Sequence, residues 1–311
     1  MLEPFLGYSR VPAVTASTEV KTMILHSTWK CNLNCKYCYL DIDGVEKKDM
    51  SLDTILSAVE QFSKEGGLFL DISGGEPLLR KDLPIIVKKG YDEALRVTIV
   101  TNGTLLNAEK INSVREHIHQ ISISIDGFGR AHDDLRGEGT FEKMSAVLDL
   151  LRSYQIPAGV TTVVNKSSAA QLPELYRFLS SFGVKQWNLT LLRATGRARK
   201  TGIAGGQVFL DDFLKTTSEE KNMEIVVDES LLGPEMRTVL KEIYDWHAYA
   251  RWHNTLTVLP NGDCVACVFF PQIVYGNITQ DSIYSIYNSP VRKEVLSLKK
   301  PCDRCPIAGN E

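Results

Sequence analysis

Cysteine is absent from position 39 to position 263, and the whole chain of 311 residues holds only seven. An odd count excludes complete disulfide pairing, so these sulfurs read as thiols, metal ligands or cluster ligands. No stretch approaches the roughly 18 apolar residues of a membrane-spanning helix. The opening MLEPFLGYSRVPAV lacks the basic start and long apolar run of a signal peptide, with Glu3 where a basic residue is expected. A cytoplasmic, reducing location is the resulting expectation. A net charge of −3 provides no general attraction to nucleic acid or to an anionic membrane, so neither is expected as a partner. Low-complexity segments, a fixed-period repeat and a general-base triad are also missing.

What is present begins with alternation. Compact β-branched or aromatic runs occur at 23–28, 68–73, 96–101, 121–126, 158–164 and 186–192. Amphipathic segments lie between them, as at 51–66, 140–155 and 171–183, the first opening on a capping serine. Six β-then-α units predict an α/β fold with a parallel sheet and right-handed crossovers. Six are too few for a closed eight-stranded barrel, so a partial (β/α)6 TIM-like barrel is expected, with working residues at the carboxyl ends of its strands. After Lys200 the pattern stops. Residues 201–207 read as a flexible connector and 208–252 as an irregular strand followed by a helix around Glu235–Trp252. From Thr255 a hairpin turns at Asn261-Gly262. The expected organisation is an extension over 1–21, a core over 22–200, a connector and helix over 201–254, and a cysteine-rich tail of hairpin plus helix over 255–311.

The first cysteine group, Cys31, Cys35 and Cys38, has CX3CX2C spacing directly after the first strand. A buried helical stripe is one reading, but Asn32, Asn34 and Lys36 are poor core residues. Structural zinc usually takes four ligands, one more than these three. A four-iron cluster also takes four cysteines, and three would leave one iron exposed to hold a substrate or cofactor.

CX3CX2C in this position resembles the signature of the radical SAM enzymes. The resemblance implies that the open iron chelates S-adenosylmethionine (SAM), whose reductive cleavage releases a 5′-deoxyadenosyl radical, and that Tyr37 lies beside the adenine. SGGEP (73–77) is similar to the family's GGEP turn, with Gly74, Gly75, Glu76 and Pro77 receiving the methionine amino group. Closely approaching backbone and a carboxylate suit an ammonium, although an ordinary βα turn has the same composition. VTNGTLL (100–106) resembles the TNG segment, with Asn102 at the site. SISIDG (122–127) offers Ser124 to the cofactor's carboxylate or ribose and Asp126 to substrate or cofactor; capping a turn is the alternative for each. HDDLRGEGTFEKMSAVLDLL (132–151) is similar to peptide-modifying members and offers Arg136 to the cofactor carboxylate. Asn165 and Leu192 fall on the same rim. RATGRARK (193–200) reads primarily as a solvated basic loop, with an acidic peptide or a phosphate as its alternative partner.

The second group forms two CX2C pairs, Cys264/Cys267 and Cys302/Cys305. Such pairs suit zinc or an iron–sulfur cluster. The gap between them is longer than in common zinc sites. NGDCVAC, GNITQDSIYSIYNS and CDRC together resemble the SPASM and twitch modules of radical SAM enzymes. Four cysteines fit the shorter twitch form with one auxiliary [4Fe-4S] cluster. Cys264, only three residues before Cys267, departs from the family pattern. Either all four sulfurs bind, or Cys264 is free and could give a hydrogen atom to a substrate radical. The implied cofactors are SAM and two [4Fe-4S] clusters. The implied activity is hydrogen abstraction from an unactivated carbon, in maturation of a ribosomally made peptide by cross-linking, oxidation or epimerisation. Dehydrogenation or epimerisation of a small molecule such as an aminocyclitol or sugar is the alternative, and a non-catalytic zinc or regulatory protein a remote one. Expected partners are a peptide or small-molecule substrate and an electron donor of flavodoxin or ferredoxin type. Only some 20 residues precede the first strand, so a separate leader-peptide-binding protein is a further expected partner.

Overall fold

The computed structural model describes residues 20–40, 48–202, 208–217, 223–228, 231 and 254–297. Cys302, Cys305, the helix expected around Glu235–Trp252 and nearly all of the amino-terminal extension lie outside the described residues.

All six expected strands form: β1 (Thr22–His26), β2 (Phe69–Ser73), β3 (Arg96–Thr101), β4 (Gln120–Ser124), β5 (Ala158–Val164) and β6 (Gln186–Leu191). They pair in parallel in chain order. Two features go beyond the expectation of six. The segment read as irregular is a short helix followed by a seventh parallel strand, β7 (Glu224–Val227), on β6. The tail also enters the same sheet: β8 (Thr255–Val258) pairs in parallel with β1, and β9 (Asp263–Cys267) and β10 (Phe270–Asn277) continue it antiparallel. The order is β10-β9-β8-β1-β2-β3-β4-β5-β6-β7. The hairpin turn falls at Asn261-Gly262 as expected, with Gly262 at φ +91°.

The helices that follow these strands are α1 (Leu52–Lys64), α2 (Leu83–Asp92), α3 (Ala108–Val114), α4 (Arg130–Arg136), α5 (Thr140–Ser153), α6 (Lys166–Ala169) and α7 (Leu172–Ser181). The local causes are visible in α1. The Ser51 hydroxyl accepts from the Thr54 N–H at 3.2 Å, and Asp53 and Lys64 match the helix dipole at its two ends. Its Ile55, Ala58, Val59 and Phe62 are buried at helical spacing.

Strand alternation then separates two environments. Leu70 and Ile72 of β2, and Val97 and Ile99 of β3, are buried in the main core. Their neighbours Asp71, Ser73 and Thr98 are only half-buried. Parallel strands are usually apolar on both faces. Here Ser124, Thr161 and Thr190 share one face with Val163, and that face is only half-buried. Among the described residues no helix is long and apolar enough to cross a membrane.

Candidate active site

The cysteine loop leaves the carboxyl end of β1 and is fastened from three sides. On the first side is the GGEP turn. The Gly75 N–H donates to the Thr28 carbonyl at 2.7 Å, and the Glu76 N–H to the Lys30 carbonyl at 2.7 Å. A Cβ on Gly75 would lie 2.2 Å from the Lys30 oxygen, so glycine is required by the close approach of the two backbones. Asp49 adds to this side, accepting from the Thr28 hydroxyl at 2.7 Å and the Trp29 N–H at 2.9 Å. Arg80 donates to the Ser27 carbonyl at 2.8 Å.

The second side is the end of β3. Glu76 is fully buried, and its carboxylate accepts from Leu78 N (3.0 Å), Thr101 Oγ1 (2.7 Å) and Asn102 N (2.8 Å). Burial pushes its carboxyl pKa up, and these three hydrogen bonds oppose that rise. Asn102 in turn donates from Nδ2 to Asn32 Oδ1 at 2.9 Å, and the same nitrogen lies 3.9 Å from Cys31 Sγ. Pro77 is buried in the short turn that follows Glu76.

The third side surrounds Cys35 and Cys38. The Tyr37 hydroxyl donates to Asp126 Oδ2, and Arg136 Nε donates to the same oxygen at 2.5 Å. The Val163 N–H donates to Asp126 Oδ1 at 2.9 Å. The Arg136 guanidinium lies 5.4 Å from the Tyr37 ring centroid. Leu192 packs with Tyr37, Leu135 and Ala198 beside Cys35. Below the loop, RATGRARK departs from the solvated loop expected for it. It contains a helix, α8 (Gly196–Thr201), whose Arg197 donates from Nη1 to the Cys35 carbonyl (2.7 Å) and from its backbone N–H to that of Cys38 (2.8 Å). Gly196, at φ +49°, sits where a Cβ would be 2.4 Å from the Cys38 oxygen. Only Arg199 and Lys200 of its basic residues are exposed.

The structure thus gathers Cys31, Glu76, Gly74, Gly75 and Asn102 on one side of the loop, and Cys35, Tyr37, Asp126, Arg136 and Leu192 on the other. Ser124 is half-buried at the end of β4. Asn165 serves its own helix, its Oδ1 accepting from the Ser168 N–H at 2.9 Å. Cys264 is fully buried within β9, and Cys267 is half-buried at the end of that strand. Asp49, Arg80, Gly196 and Arg197 escaped the sequence reading. The basic run was the one signal for the last two.

The loop's donor set fits an iron–sulfur cluster. Cys31, Cys35 and Cys38 are free and half-buried. Among the described residues, no three His, Cys, Asp or Glu side chains converge on a single ion. A cubane spreads its thiolates over different irons and so needs wider spacing. Burial pushes the thiol pKa values up, that of Cys35 to about 11, with Arg136 opposing the rise at Cys35. Metal loading must therefore release protons.

Comparison with known proteins agrees with this geometry. Residues 26–179 match the radical SAM superfamily and residues 250–306 the SPASM iron–sulfur cluster-binding domain. An AdoMet-dependent heme synthase of Methanosarcina barkeri is 33% identical over 54% of this chain and 49% of its own length. The antilisterial bacteriocin subtilosin biosynthesis protein AlbA of Bacillus subtilis is 24% identical over 97% of this chain and 69% of its own. The PqqA peptide cyclase of Gluconobacter oxydans is 24% identical over 94% and 84%. The chain thus spans about half of the heme synthase's length and more of the other two. Among solved structures, Streptococcus suis SuiB bound to precursor peptide SuiA superposes with a TM-score of 0.74 at 16% identity, over 90% of this chain and 67% of that one. With its cysteine loop, GGEP turn and sheet-borne tail, this chain belongs to the radical SAM superfamily and carries a SPASM domain.

Proposed function

We propose that this radical SAM enzyme acts on a ribosomally made peptide, cross-linking, oxidising or epimerising it. The observation that carries this reading is coverage. The bacteriocin biosynthesis protein and the peptide cyclase align over nearly the whole chain, tail included, whereas the heme synthase aligns over about half of it. The half-buried hydroxyls of Ser124, Thr161 and Thr190 on one face of the sheet suit a substrate with many amide groups.

Family membership brings SAM and a [4Fe-4S] cluster, and the SPASM domain brings auxiliary iron–sulfur chemistry. When bound and reduced, these supply hydrogen-atom abstraction from an unactivated carbon. Cys31, Cys35 and Cys38 would hold the first cluster. Gly74, Gly75 and Asn102 would border the cofactor on one side, and Tyr37 and Ser124 on the other. The chain's own contribution is rigidity. Asp126 and Arg136 fix Tyr37, Glu76 ties the GGEP turn to β3, and α8 holds the carbonyls of Cys35 and Cys38, so the loop presents its sulfurs in one arrangement.

The test is incubation of the reconstituted enzyme with SAM, a strong reductant and candidate precursor peptides in deuterated water. Loss of a hydrogen pair, or deuterium entering the peptide, supports the reading. SAM cleavage that modifies a tetrapyrrole, an aminocyclitol or a sugar and leaves every peptide unchanged would refute it.

A further inference from the structure

The last residue of β1 is His26, which is only 2% exposed. Met23 and Leu25 belong to the main core, so alternation turns His26 to the opposite face, with Ile24. Register carries that face from Ile24 across Asp71 and Thr98 to Gln120. Gln120 and Ser124 lie on one side of β4, so His26 shares its face with the half-buried hydroxyls of Ser124, Thr161 and Thr190.

The His26 ring meets Tyr39 edge-on, 6.0 Å between centroids. Tyr39 directly follows Cys38, and its hydroxyl hydrogen-bonds the side chain of Ser73, the residue opposite His26 in β2. The same ring meets Phe269, in the turn between β9 and β10, at 5.6 Å. Arg193, paired with Asp228 at 2.9 Å, lies 5.6 Å from the Phe269 ring centroid. The cysteine loop and the tail turn thus both reach the end of β1.

Among the described residues, neither Nδ1 nor Nε2 of His26 has a hydrogen-bond partner, although both are buried. Buried polar side chains are in the large majority hydrogen-bonded. Burial alone sets the protonation of this ring, lowering its pKa to about 4, so near pH 7 it is neutral. A neutral imidazole has one nitrogen that donates and one that accepts. Trp29 Nε1 is orphaned in the same way, in the small core against which Tyr39 packs.

We propose that His26 is a substrate-binding residue, one ring nitrogen donating to a backbone carbonyl of the peptide and the other accepting from a backbone N–H. An uncharged donor and acceptor side by side match the uncharged groups of a peptide backbone, whereas a substrate carboxylate or ammonium would find no opposite charge on this ring. His26 then positions the peptide beside the cysteine loop. The proposal rests on the reading that the substrate is a peptide.

The experiment uses the precursor peptide found to be modified in the deuterated-water assay. Reconstituted wild type, His26→Phe, His26→Leu and His26→Gln are compared at matched iron content. Phenylalanine and leucine remove both nitrogens, the first keeping a ring against Tyr39, and glutamine keeps a donor and an acceptor. The peptide KM is expected to rise about 10-fold in His26→Phe and His26→Leu, with a smaller change in kcat, and to recover in large part in His26→Gln. Esters replacing single peptide amides locate the contact. At that position the ester should weaken wild type and leave His26→Phe unaffected. A KM equal to wild type in His26→Phe and His26→Leu, or ester effects that are the same with and without the imidazole, would overturn the proposal and leave the peptide reading intact. Loss of iron from all three variants would make His26 a structural residue and would overturn it as well. If every peptide stays unchanged while a tetrapyrrole, an aminocyclitol or a sugar is modified, the peptide reading itself falls, and the proposal with it.

Discussion

Arg136 Nε lies 2.5 Å from Asp126 Oδ2, and both side chains are buried. The same carboxylate oxygen receives the Tyr37 hydroxyl from the cysteine loop. The end of β4, the end of α4 and the loop therefore meet at one charged group. A buried pair is weak evidence for stability as a pair, but removing one partner leaves the other charge uncompensated. Asp126→Ala is expected to cost about 3–5 kcal/mol, read from denaturant unfolding of the apoprotein. A loss below about 1 kcal/mol would mean that solvent reaches Arg136 and that the pair does not brace the loop.

Two glycines should control cluster loading. Gly75→Ala and Gly196→Ala each put a methyl group against backbone oxygen of the loop, at 2.2 Å and 2.4 Å. The local strain is expected to be about 1–3 kcal/mol, with far-UV circular dichroism unchanged and iron uptake reduced severalfold. Gly183→Ala is the control. It also has positive φ, +72°, but nothing lies within 4 Å of the new methyl. It should lower stability slightly and leave iron uptake alone. Equal iron loss in all three variants would show that general destabilisation, and not the loop contact, is responsible.

Acid sensitivity should come from two buried histidines. Burial lowers the pKa of His26 and of His132 from 6.5 to about 4, with Asp126 and Asp133 opposing the shift at His132 and Arg136 reinforcing it. His132 stays neutral and its Nδ1 accepts from the Asp126 N–H at 3.1 Å. Between about pH 6.5 and pH 4 the unfolded chain binds more protons than the folded one, so stability falls as the pH drops through that window and levels off below it. Each histidine contributes up to about 3 kcal/mol. His132→Asn, which retains an acceptor, should flatten the dependence of apoprotein stability on pH over this range. An unchanged slope would assign it to other groups.

Replacing Cys31, Cys35 and Cys38 together by alanine should abolish SAM cleavage under strong reductant, while iron bound by the tail persists. Chromatographic detection of 5′-deoxyadenosine provides the measurement. Cleavage at the wild-type rate would place the reactive cluster elsewhere.

The strands of the core were legible because each is a short β-branched run ending at a turn residue, and their observed limits fall within two residues of those expected. β7 was not, since Glu224–Val227 is four residues long and follows no clear periodic helix. The parallel pairing of β8 with β1 has no local signature, because the two strands are more than 200 residues apart in sequence and β8 extends the sheet beyond β1. At the site, residue types were readable and their partners were not. Arg136 and Tyr37 were singled out for the cofactor and Asp126 for substrate or cofactor, yet the structure pairs the three with one another. The basic run at 193–200 looked like surface because composition cannot show Gly196 lying against the Cys38 carbonyl.

The union of β8 with β1 has a practical consequence. Cutting the chain before Thr255 would not release a detachable appendage. It would turn the strand that launches the cysteine loop into a raw sheet border, with unpaired amides inviting intermolecular association. Exchange of tails between relatives must therefore preserve the β1-facing register of β8, or the grafted enzyme will lose its first cluster along with its second.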